Sequence, residues 1–83
     1  MANDTNLRDA GLRAFSKNEF ANAYALLLPY AEAGDAHAQM LLARMCYAGN
    51  GTAQNHDQYL YWLEKAAANG DKSARARLKR AAK

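Results

Sequence analysis

Valine and isoleucine are absent from this 83-residue chain, and its only other β-branched residues are Thr5 and Thr52. Sheets draw on such side chains, so a sheet has almost nothing to build from here. Alanine is the commonest residue, and it is the best helix former. Its small side chain also lets helices approach one another closely. The chain is therefore expected to be all-α, with one domain and one modest core.

The spacing of apolar residues predicts about five helices. The first covers about residues 5–17, with Leu7, Ala10, Ala14 and Phe15 on its apolar side and Gly11 weakening it. Asn18 is placed to cap a second helix, which carries Phe20, Ala23, Leu26, Leu27, Tyr30 and Ala31 at helical spacing. Pro29 removes one backbone donor from that helix, so a kink is expected there rather than a break. Gly34 supplies a stop and Asp35 the next cap. A third helix follows with Ala38, Leu41, Leu42, Met45 and Cys46, and ends at the Gly49-Asn50-Gly51-Thr52 turn. Asn55 and Gln58 form a variant of the capping box before a fourth helix, which presents Tyr59, Trp62, Leu63, Ala66 and Ala67. Gly70 and Asp71 repeat the stop and cap before a fifth.

That repetition is the strongest signal in the chain. A shift of 36 residues lays Ala31, Gly34, Asp35 and Ala38 on Ala67, Gly70, Asp71 and Ala74. Leu27, Leu42 and Arg44 fall on Leu63, Leu78 and Arg80. These are seven identities in the 25 pairs from Phe20/His56 to Arg44/Arg80, well above the roughly one in ten expected of so alanine-rich a chain. The matched Gly-Asp pairs weigh most, because they repeat a physical device in register. The expected organisation is a single domain over residues 1–83, with a leading helix at about 5–17, a first repeat at about 19–48 and a second at about 56–82.

The segments Ala31–Gly51 and Trp62–Ala74, with this period, resemble the Sel-1-like repeat, a relative of the tetratricopeptide repeat. In that family alanines pack a helix pair, a glycine separates the helices, and a tyrosine precedes a G-x-G turn, followed by tryptophan and K-A-A. Those places fall here on Ala38, Gly34, Tyr47, Gly49, Gly51, Trp62, Lys65, Ala66 and Ala67. Thr52, Asn55 and Tyr59 depart from the usual valine, aspartate and alanine. The resemblance implies a short right-handed α-solenoid of antiparallel helix pairs that acts as an adaptor. It brings no catalytic residues, because every consensus position is a packing or turn position. The disulfide found in some relatives has no counterpart in a chain whose one cysteine is Cys46.

No enzymatic activity, metal or cofactor is expected. His37 and His56 lie on different elements, and neither has a second ligand four residues on. Cys46 continues an apolar helix face and reads as a buried structural thiol. Ser16 and Ser73 lack the strand-turn-helix setting of a nucleophile. The chain begins without basic residues or an apolar run, so no secretory signal is expected. Its longest apolar stretch, Ala23–Ala31, is too short to cross a membrane, and a cytoplasmic location is expected.

The expected function is the binding of a protein or peptide partner. Tyr24 and Leu28 lie off the core stripe of the second helix; Leu60 and Tyr61 take related places on the fourth, with Lys65 beside them. On the concave side of a solenoid these five residues would form one apolar strip with a polar border. The alternative is nucleic-acid or acidic-partner binding by the last helix. Residues 72–83 carry six basic side chains and no acid, whereas the net charge of the whole chain is +3. No aromatic lies within that basic run, which argues against nucleic acid. Arg77 stands where the third helix has Leu41, as a solvated capping helix requires. End-to-end pairing of two copies is a further expectation for so short an array.

Overall fold

A computed structural model describes residues 4–81. They form five α-helices: α1 (Asp4–Ser16), α2 (Phe20–Glu32), α3 (Ala36–Ala48), α4 (His56–Ala68) and α5 (Lys72–Ala81). No strand occurs among the described residues, as the lack of β-branched side chains requires. Each helix packs chiefly on its neighbours in sequence, and the molecule is elongated, 46 × 24 × 17 Å.

Three of the four connections are closed by one hydrogen-bond pattern. After α2 the Gly34 amide donates to the Ala31 carbonyl at 3.1 Å, and the Asp35 amide to that of Tyr30 at 2.9 Å. After α4 the Gly70 amide donates to Ala67 at 3.1 Å, and the Asp71 amide to Ala66 at 2.9 Å. Both glycines hold a positive φ, +107° and +98°, which side-chain-bearing residues rarely adopt. The aspartates then cap the next helices, accepting from the amides of Ala38 and Ala74. Hydrogen bonds therefore recur at the same 36-residue spacing as the sequence identities.

Asn18 corrects the sequence expectation. It does not cap α2, whose N-cap is Glu19 with no side-chain hydrogen bond. Asn18 instead closes α1 in the left-handed region, at φ +64°, with its amide donating to Phe15 and that of Glu19 to Ala14. Asparagine tolerates this conformation better than most residues, so it substitutes here for the glycine of the other two turns. Asn55 does cap as expected, accepting from the Gln58 amide at 3.0 Å. Pro29 is accommodated within α2, which continues to Glu32.

The core follows the predicted stripes on α2, α3 and α4, but not throughout α1, where Leu7, expected on the apolar side, is 46% exposed while Ala14 is buried. Ala23, Leu27, Ala38, Leu42, Leu63, Ala66 and Ala74 are completely buried, and Met45, Cys46, Trp62 and Tyr59 nearly so. Gly11 does more than weaken α1. A β-carbon there would lie 2.8 Å from the Leu27 side chain, so this glycine lets α1 seat closely on α2. The seating is reinforced by an ion pair between the Arg8 guanidinium and the Asp35 carboxylate.

Candidate functional site

The five residues of the expected strip sit on α2 and α4, and the structure divides them. Tyr24, Leu28 and Leu60 are half-buried and packed against the core. Tyr24 is not sealed in the core. Its hydroxyl has Thr52, in the α3–α4 connection, and Trp62, on α4, as neighbours, and burial raises its pKa. The buried Trp62 indole N–H points to the neighbourhood of the Tyr24 hydroxyl.

Tyr61 and Lys65 face outward together. Tyr61 remains 46% exposed, with its ring packed edge-on against Trp62 at 4.9 Å between centroids. The Lys65 ammonium lies 5.2 Å from the Tyr61 ring centre, within the range of a cation–π contact. Both residues border an open cleft of about 390 Å³ between α4 and the α2–α3 turn. Tyr24, Leu28 and Leu60 are not among the residues lining it, so the cleft takes two of the five strip residues.

Three other lining residues were not singled out by sequence reasoning as a site. Gln39 is a buried polar residue on α3, 1% exposed. Its amide donates to the Ala31 carbonyl at 2.8 Å and accepts from the Asn69 side chain at 3.0 Å. It thus ties the first helix pair to the end of α4 and fixes the cleft floor, with Trp62 forming an apolar wall. The 36-residue register offers a clue to its role: Arg75, the counterpart of Gln39, donates to the Ala67 carbonyl at 3.2 Å, the counterpart of Ala31. The cleft therefore combines an exposed ring, a cation and an amide on a fixed frame.

Elsewhere the side chains offer little chemistry. His37 and His56 are exposed on different helices. Cys46 is buried, and burial pushes its thiol pKa up, away from the thiolate needed of a nucleophile. Among the described residues no three His, Cys, Asp or Glu side chains gather in a way that could hold a metal ion. No helix among them is long and apolar enough to cross a membrane. On α5, Ala74 is buried and Leu78 half-buried, whereas Arg75, Arg77, Lys79 and Arg80 are exposed. In comparisons with known proteins, no family model matches the chain, and no curated protein or solved structure shows significant similarity to it.

Proposed function

We propose that the chain is a short right-handed α-solenoid of Sel-1-like repeats that serves as an adaptor, binding a peptide or protein partner on its concave side. The observation that carries this reading is the pairing of Tyr61 and Lys65 at the rim of the cleft. A large ring stays exposed beside a buried tryptophan, and a cation sits over it. Exposed aromatic anchors over a well-packed floor, with a polar border, are the usual anatomy of a binding hot spot. Tyr24, Leu28 and Leu60 lie outside the cleft as half-buried apolar side chains, and on this reading they support a partner's backbone rather than grip a side chain. A second copy packed end to end is one candidate partner, and sedimentation equilibrium decides it.

Affinity capture with mass spectrometry identifies the partner, and Tyr61→Ala tests the site. That substitution should weaken capture by about 1–3 kcal/mol while leaving helicity unchanged. Undiminished binding of the captured partner to Tyr61→Ala and Lys65→Ala would remove the cleft from the reading.

A further inference from the structure

The last helix contains no aromatic residue, but the fold brings aromatics to it from other elements. Two adjoining clefts, of about 390 and 290 Å³, share Tyr47 of α3 and Arg77 of α5. The first also takes Arg44 and Phe15, and the second His56 and Arg80. Tyr47 is 57% exposed, the most exposed large apolar side chain among the described residues. Its ring rests on that of the buried Tyr59, 4.9 Å between centroids, and Tyr59 in turn meets His56 at 5.8 Å. The backbone beneath Tyr47 is held as well: its carbonyl accepts from the Gln54 side chain at 2.9 Å. Tyr47 thus leans on a buried ring while more than half of it stays open to a ligand.

The charges around this platform have one sign. Arg44, Arg77 and Arg80 are exposed, and among the described residues none has an ion-pair partner. No acidic residue lines either cleft; Glu19 and Asp57, each adjacent in sequence to a lining residue, lie outside both. Arg44 already stacks over an aromatic face, 5.4 Å from the Phe15 ring centre. The cations are all arginine, whose planar fork pairs with phosphate and stacks on rings, unlike lysine's point charge. The aromatic residues that the basic run itself lacks are supplied by α3 and α4. This removes the ground on which the sequence argued against nucleic acid.

We propose that this surface binds single-stranded nucleic acid, with a base stacked on Tyr47 and phosphates held by Arg44, Arg77 and Arg80. An acidic peptide would satisfy the arginines, but only a nucleic acid carries a planar base beside every phosphate. A duplex hides its base faces, so its bases cannot reach Tyr47. The pattern of aromatic platform and arginine border is how sequence-tolerant single-strand sites are made.

The test is fluorescence anisotropy of a labelled 12-nucleotide poly-dT or poly-U titrated with the full chain at several salt concentrations. Binding is expected, with log K falling against log salt at a slope of about −2 for three neutralised phosphates. Tyr47→Ala should weaken it roughly tenfold or more, and Tyr47→Trp should retain it. Arg77→Gln should weaken binding and flatten the slope by about 0.7. Tyr61→Ala, on the other surface, should change nothing, which separates this inference from the adaptor reading. Circular dichroism confirms that each variant is folded. Three results would overturn the proposal: no binding at low salt, binding indifferent to folded Tyr47→Ala, or equal binding of a duplex. Displacement of the oligonucleotide by poly-glutamate at equal charge concentration would reassign the surface to acidic peptides.

Discussion

The turns that follow α2 and α4 are built alike, but the helices they lead into live in different surroundings. Eight of the thirteen residues of α3 are buried, because α2 covers one side and α4 the other. On α5 Ala74 alone is buried among the side chains described, since that helix packs chiefly on α4. Matched positions record the difference. Leu41 is buried where Arg77 is exposed, and Ala43 is buried where Lys79 is exposed. Backbone geometry is thus set by the local Gly-Asp device, whereas side-chain chemistry is set by how many neighbours a helix has. Terminal units of stacked arrays meet this condition with a polar outer face.

The comparison can be broken first at its centre. Trp62 is the largest side chain in the core and adjoins Tyr24 of α2 and Tyr61 of α4. Trp62→Ala should cost about 3–5 kcal/mol, most of the stability of a domain this small. An unchanged melting temperature would show that the repeat register is misassigned. Matched leucines sharpen the contrast. Leu42 is fully buried and Leu78 half-buried. Leu42→Ala should therefore cost about 3 kcal/mol and Leu78→Ala about 1, by urea denaturation. Equal losses would mean that α5 is covered as thoroughly as α3.

The smallest effect lies in the caps. Asp71 caps α5, while Asp35 caps α3 and also pairs with Arg8. Asp71→Ala should cost about 1 kcal/mol and Asp35→Ala somewhat more, since the Arg8 pair is only partly buried. The hydrogen bond from the Arg8 guanidinium, then those from the backbone, hold the Asp35 carboxyl below its ordinary 3.8, although partial burial opposes them. A depressed folded pKa contributes stability that is present above the unfolded value and lost as pH falls through the folded one. The melting temperature should thus drop below about pH 4, and Asp35→Asn should blunt that drop. A wild-type acid profile that Asp35→Asn leaves unaltered would refute the assignment.

Much of this architecture is legible in the residues. Helix number, the Gly-Asp turns, the Asn55 cap and the buried stripe through Leu27, Leu42 and Leu63 follow from local spacing. Local spacing fails where one side chain does two jobs or where partners are distant in sequence. Asn18 satisfies the rules for an N-cap and for a left-handed closure, and only the positions of the Ala14 and Phe15 carbonyls decide between them. Gly11 reads as a poor helix former until Leu27 is set against it. Gln39 looks like a surface residue until Ala31 and Asn69 converge on it. The strip rests on helical phase, which cannot tell half-buried Tyr24 from exposed Tyr61. Nothing in the basic run itself points to Tyr47, which lies 25 residues before Lys72 and meets α5 only in the folded chain.

Cys46 gives the molecule a built-in clock. It is the sole thiol of the chain, 1% exposed, on the helix that α2 and α4 cover. A thiol reagent reaches it only when α3 is uncovered, so labelling reports that opening. Where reclosing is faster than labelling, the ratio of the observed rate to that of a free thiol gives the opening free energy directly. No probe has to be engineered for this, and the unaltered chain reports its own breathing, with or without a bound partner.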